Sequence, residues 1–305
     1  MILRTCRLVP VFLLALLAAC SGLPTAQDAD VMPIVHDGNA HRGMKRAVVV
    51  IPGAMASVGM FEPVLDWDLG DGAVLAYRFP GLDGTKLNHR LDIAAAGELI
   101  AETMDKLEVE EVYLIGFSTG GPVALEAARR LPRKEVSVAL ISSAGPFPAG
   151  IEASVEGFFD VVGALVRSHG TSMEDAWLEN YRTLLYGRKH YVNGDTAKQS
   201  KVLAEEQRGQ LLTPGPRMTM AHTADLMTWT LPQDPNLAKA KIGVFHGRED
   251  TVFPIGPTSR FAVSIPADGM KIYDGQGHIL FVTAPTLWDD VRTFFGLKAG
   301  PPPGE

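Results

Sequence analysis

Three side chains far apart in the chain have the types that acyl-transfer chemistry requires: Ser118, Asp250 and His278. A serine hydroxyl is a weak nucleophile at neutral pH. It needs an imidazole within hydrogen-bond reach to take its proton, and the imidazole needs a carboxylate to fix its tautomer. Ser118 lies in Gly116-Phe117-Ser118-Thr119-Gly120-Gly121, at the end of the apolar run Val112 to Ile115. His278 lies in the Gly-rich loop Asp274-Gly275-Gln276-Gly277-His278-Ile279, and Asp250 in His246-Gly247-Arg248-Glu249-Asp250-Thr251. Glu249 and Asp274 compete with Asp250 for the role of the acid. No His, Cys and acid cluster has metal-ligand spacing, so the chemistry implies neither metal nor organic cofactor.

The elements around these residues set where they can meet. A strand that ends in G-x-S-x-G and re-emerges as a helix is a nucleophile elbow, and the Gly neighbours allow a turn too tight for bulky side chains. Pro122 suits the first turn of the helix expected over 122–131, where its missing N–H has no intrahelical partner. Further strands are expected at 47–51, 74–79, 136–141, 242–245 and 270–273, with a strand pair somewhere in 31–41. Residue 47–51 is continuously apolar, as a parallel strand covered on both faces is. Helical spacing of apolar residues predicts helices at 93–107, 255–263 and 286–295. Strands alternating with helices indicate an α/β domain with a mainly parallel sheet. The alternation stops between 146 and 240. That stretch reads as helices at 158–166, 173–186, 196–210 and 217–229, an inserted cap. Ser118, Asp250 and His278 each follow a different strand, at the edge where open α/β sheets place their sites.

In the elbow GFSTGG, the acid loop GREDTVFP and the histidine loop GQGHILF, the chain resembles the α/β-hydrolase fold superfamily over about residues 45–297. The resemblance implies a serine hydrolase with Ser118 as nucleophile, His278 as base and Asp250 as the acid. Some relatives take their acid from the strand before the cap, but here no carboxylate lies between Ile141 and Glu152. The family also builds an oxyanion hole from two backbone N–H groups, which correspond to Thr119 and, in the loop Pro52-Gly53-Ala54-Met55, to Ala54. Many relatives carry His-Gly where this chain has Pro52-Gly53, and there is no HGGG run. Ester hydrolysis is the leading expectation. Thioester, lactone, amide or carbon–carbon cleavage, perhydrolysis, and a non-catalytic tethered binding protein are the alternatives on the same fold. Trp177, Tyr181, Tyr186, Met218, Met220, Met227 and Trp229 could line a pocket in the cap or pack its helices together, and packing is favoured for each. The remaining histidines, His246 included, read as structural or surface residues.

The first nineteen residues read as an export signal: Arg4 and Arg7, then an apolar run from Leu8 to Ala19, too short to span a bilayer comfortably. Leu17-Ala18-Ala19-Cys20 resembles the lipobox of bacterial lipoproteins, which implies cleavage before Cys20, acylation of its thiol, and a cell-envelope location, with Ser21 favouring the outer membrane; a plain signal peptide with a chance Cys, or an uncleaved anchor, is the alternative. Residues 20–44 then form a tether and first strands, the core occupies 45–145 and 241–298 on either side of the cap at 146–240, and 299–305 is a Pro-rich tail expected to be disordered. Cleavage leaves 26 basic against 35 acidic residues, a formal −9, with no basic run to suit nucleic acid. It also removes Cys6, so no disulfide is available within the chain despite an oxidising compartment. The expected partners are therefore a small acyl substrate and a membrane reached through Cys20. Oligomeric state leaves no mark in the sequence.

Overall fold

Strands made of unbroken apolar runs must be covered on both faces, and this requirement shapes the molecule. The computed structural model describes residues 34–36, 38–153, 172–206 and 215–297, with positions 156, 160, 163, 164 and 168. The expected leader, the tether to residue 33, the tail from 299 and most of the first cap helix lie outside the described residues.

Among the described residues, seven strands form one sheet: β1 (Ile34–His36), β2 (Arg46–Ile51), β3 (Gly72–Tyr77), β4 (Glu111–Phe117), β5 (Glu135–Ile141), β6 (Lys241–Gly247) and β7 (Ala267–Tyr273). Their spatial order is β1-β3-β2-β4-β5-β6-β7. Neighbours from β3 to β7 are parallel, and β1 is antiparallel to β3. The strand pair expected within 31–41 is thus a single described strand, whose partner is β3 and not a local hairpin mate. The strand expected at 270–273 begins earlier, at Ala267. As an edge strand it keeps exposed polar residues such as Asp268 and Lys271, which weaken the apolar signal.

The helices of eight or more residues among the described ones are α1 (Ile93–Lys106), α2 (Gly120–Arg129), α3 (Met173–Tyr186), α4 (Gly194–Glu206), α5 (Pro216–Thr223), α6 (Ile255–Ser264) and α7 (Leu287–Phe295). Side-chain alternation along the strands divides the core in two. Val49, Leu75, Leu114, Val138 and Val244 pack with α1, α2 and α6 through Ile100, Met104, Val123 and Phe261. Val48, Val50, Ile115, Ile141 and Phe245 pack on the other face with Leu287, Val291 and Phe295 of α7. The cap helices α3 to α5 fall between β5 and β6, which are adjacent in the sheet. Their starts have local causes. Ser172 Oγ accepts the Asp175 N–H at 3.0 Å, and Asn193 Oδ1 accepts the Asp195 N–H at 3.1 Å, each meeting a donor that a helix start leaves unpaired.

The cap stays attached to the core by polar contacts. Glu126, buried on α2, pairs with Arg129 and Arg130 and accepts the Trp229 indole N–H at 3.3 Å from the segment leaving the cap. Burial opposes ionisation of Glu126, but the two guanidinium groups and the indole outweigh it and hold the carboxyl below its ordinary value of 4.5. A lowered carboxyl contributes stability above its unfolded pKa, and that contribution fades as pH falls through the folded one. We therefore expect Glu126→Gln to cost about 1.5–3 kcal/mol at neutral pH, the range for hydrogen bonds to charged groups. Thermal melts across pH check this: the gap between variant and parent should close below the ordinary carboxylate range.

Candidate active site

The carboxyl ends of β4, β6 and β7 bring Ser118, Asp250 and His278 to one rim. His278 Nε2 stands 3.1 Å from Ser118 Oγ, and His278 Nδ1 stands 2.9 Å from Asp250 Oδ2. A carboxylate only accepts, so Nδ1 carries the proton and Nε2 is left to accept from the serine hydroxyl. All three residues are buried.

Ser118 occupies a turn that the sequence makes tight. Its φ is 52°, a left-handed conformation that costs an L-residue about 1–2 kcal/mol. Three backbone bonds hold it there: its N–H donates to Ile141 O at 3.0 Å, and its carbonyl accepts from the N–H groups of Gly121 at 3.0 Å and Ala144 at 3.1 Å. Gly120 lets the elbow press on the end of β2, where a Cβ would come within 2.2 Å of Ile51 O.

The acid loop fixes Asp250 from the other side. Its Oδ1 accepts the N–H groups of Val252 at 2.8 Å and Phe253 at 2.9 Å, leaving Oδ2 for His278. Burial pushes the carboxyl up, yet the interaction and hydrogen bond with His278, and the Phe253 N–H, hold it below its ordinary value. The competing acids are engaged elsewhere: Glu249 pairs with Lys189 of the cap, and Asp274 with Arg248 at the surface. His246 lies 3.7 Å from Asp250, but it is not its ionic partner. Burial drives its pKa down, and its Nε2–H donates to Phe253 O at 2.8 Å, so it stays neutral beneath the acid loop. The histidine loop rests on the cap. Gly277 N–H donates to Leu185 O at 2.8 Å and Ile279 N–H to Leu184 O at 3.0 Å, using carbonyls at the end of α3.

The loop Pro52-Gly53-Ala54-Met55 lies against the elbow so closely that a Cβ on Gly53 would approach Ser118 Cβ to 2.7 Å. Ala56 N–H donates to Gly53 O at 3.2 Å, closing a turn with Met55 in its third position at φ 62°. That is the form of a type II turn, where Gly ordinarily takes the place Met55 holds. Thr119 is 2% exposed, and among the described residues neither its N–H nor that of Ala54 donates to another group. The neighbouring Met55 N–H is taken: it donates to His222 Nδ1 at 3.0 Å. His222, from α5, makes contacts that leave no signal in the chain's residue pattern, because its partners are backbone groups at residues 55 and 80. Of the cap residues with two readings, Tyr181, Tyr186 and Trp229 are buried in the core clusters, and Met220 is buried as well. No group of three or more His, Cys, Asp or Glu side chains among the described residues could hold a metal ion.

Residues 48–289 match the alpha/beta hydrolase family. A protein of Caulobacter sp. (strain K31) named as a candidate carbamate hydrolase, RutD, is 22% identical over 86% of this chain and 95% of its own length. Two solved structures are similar in fold: MGS-M2, an alpha/beta hydrolase enzyme from a Medee basin deep-sea metagenome library, and a hydrolase from Pseudomonas aeruginosa PA01. The first aligns with a TM-score of 0.63 at 15% identity, covering 88% of this chain and 95% of the other. The second gives 0.62 at 18% identity, with 86% and 93% covered.

The proton on His278 Nδ1 can be checked without any substrate. In Asp250→Asn the amide oxygen can keep the Val252 and Phe253 N–H groups, while its NH2 turns to His278 and donates to Nδ1. The fold should survive with a melting temperature within a few degrees of the parent. The strongly deshielded imidazole Nδ1–H resonance in the proton NMR spectrum should disappear. Its persistence would show that Asp250 is not its acceptor.

Proposed function

Since the chain belongs to the alpha/beta hydrolase family, we propose that it is a serine hydrolase that cleaves carboxylic esters through an acyl-serine intermediate. The observation that carries this reading is the unbroken row from Ser118 Oγ through His278 to Asp250, with contacts of 3.1 and 2.9 Å. Ser118 Oγ attacks the acyl carbon as its proton passes to His278 Nε2. The carbonyl oxygen becomes an oxyanion, for which the unused N–H groups of Ala54 and Thr119 serve as donors. Collapse expels the alcohol, which leaves with the proton from His278. Water then repeats the sequence: His278 takes its proton, the acyl–Oγ bond breaks, and the carboxylic acid leaves while Ser118 recovers its hydrogen. Asp250 keeps the imidazole in the accepting tautomer throughout and steadies its charged form. Loss of that arrangement costs on the order of 10⁴ in rate, and loss of one oxyanion donor about 10²–10³. The carbamate chemistry in the name of the Caulobacter relative uses a carbonyl of the same geometry, so a carbamate belongs in the substrate panel beside esters of graded chain length.

The N-terminal motif supports a second part of the reading: a protein of the bacterial envelope, held at the membrane by acyl chains on Cys20. Each buried methylene contributes about 0.8 kcal/mol, so two or three chains anchor a globular domain firmly. No helix among the described residues is long and apolar enough to cross a membrane.

Two experiments test these statements. A fluorophosphonate probe should label the parent covalently and leave Ser118→Ala unlabelled, with ester turnover lost in parallel; full turnover by Ser118→Ala would refute the assignment. In a bacterial host, the parent should take up labelled palmitate and sediment with membranes, whereas Cys20→Ser should do neither. Palmitate uptake by the Cys20→Ser chain would rule out the anchor.

A further inference from the structure

The turn beside Ser118 is held by a residue from the cap. Met55 adopts a left-handed φ of 62° that an L-residue leaves readily unless something opposes it. Relaxing Met55 to negative φ flips the peptide between Ala54 and Met55, because that peptide distinguishes type II from type I turns. The N–H of this same peptide is the one that donates to His222 Nδ1 at 3.0 Å. The imidazole is set for the task. His222 is fully buried, and its Nε2 lies 2.7 Å from the Pro80 carbonyl, which can only accept; Nε2 therefore carries the proton and Nδ1 has a free lone pair. The ring stands edge-on to Phe79, with centroids 5.3 Å apart. Thr219 Oγ1, one turn earlier on α5, reaches Met55 Sδ at 3.5 Å, so the same helix face touches both the backbone and the side chain of Met55. Helix α5 and the turn that follows it are tied to the core, since Leu91 N–H donates to Ala221 O at 2.7 Å and Asp225 accepts the Ile93 N–H at 2.7 Å.

We propose that His222 is a positioning residue of the oxyanion turn: by accepting the Met55 N–H it holds the Gly53–Ala56 turn in the strained form that lies against Ser118. The inference rests on the hydrolase reading given above. It makes the cap part of the apparatus that stabilises the transition state, and not only a cover over the substrate. Burial lowers the pKa of His222, against the opposing effect of the Pro80 carbonyl, which keeps Nδ1 unprotonated at neutral pH.

The test is steady-state hydrolysis of p-nitrophenyl acetate by the full chain and three variants, with thermal melts alongside. His222→Phe keeps the ring packed on Phe79 but offers no acceptor. Displacement of a reacting geometry by about 1 Å costs on the order of 10²-fold, so kcat should fall roughly 10- to 100-fold while KM changes less than about threefold. His222→Asn places a carbonyl near the Nδ1 position and should recover most of kcat. His222→Gln reaches toward the Nε2 position instead and should stay low. If the Phe chain does not fold, the Asn and Gln pair carries the test, with kcat for Asn above that for Gln. A folded Phe variant with kcat within twofold of the parent, or Asn and Gln variants equal in kcat, overturns the inference. A parent that neither turns over the ester nor reacts with a fluorophosphonate instead removes the hydrolase reading itself.

Discussion

A serine held in a left-handed turn is the constraint on which the rest of the molecule depends. Ser118 keeps φ at 52° because the ends of three parallel strands surround it. β4 delivers it, β5 supplies the carbonyl of Ile141 for its N–H, and the end of β2 presses on Gly120 behind it. The strain of about 1–2 kcal/mol is of the size that one or two backbone hydrogen bonds offset, and Ser118 has three. Such a turn places a side chain above the sheet edge, where β6 and β7 deliver the carboxylate and the imidazole. The geometry of the row is thus a consequence of strand order, not of local sequence around any one member.

The cap follows from the same economy of backbone groups. Carbonyls at the end of α3 would be unpaired in an isolated helix, and Leu184 and Leu185 give theirs to the N–H groups flanking His278. Helix α5 reaches the oxyanion turn through His222, the start of α1 lies under Asp225, and Trp229 reaches Glu126 on the elbow helix. These contacts reach the loop of His278, the turn at Met55 and the helix that follows Ser118. The described parts of the cap are thus fastened close to Ser118 and His278.

How much of this the chain discloses depends on which signal each element leaves. β2, β4 and β5 are covered on both faces, and their apolar runs, interrupted in β5 by Ser137, mark them clearly in the sequence. Helix α3 is legible at both ends, because Ser172 caps its start and Gly187 stands where it stops at φ 68°. β7 is half hidden, since this edge strand carries the exposed polar residues Asp268 and Lys271. Ser118, Asp250 and His278 are legible because their motifs fall after three separate strands in one order, and hydrogen-bond distance is something only the folded chain supplies. His222 has no such signature. Its two partners are a peptide N–H and a carbonyl, which carry no side-chain identity to read.

The most direct measurement is a crystal structure of the chain after reaction with a small fluorophosphonate, whose tetrahedral phosphorus stands in for the acyl carbon in the transition state. The account predicts a covalent bond from Ser118 Oγ to phosphorus, with the phosphoryl oxygen about 2.7–3.1 Å from both the Ala54 and Thr119 nitrogens. An adduct on another residue, or a phosphoryl oxygen turned away from both N–H groups, would contradict it.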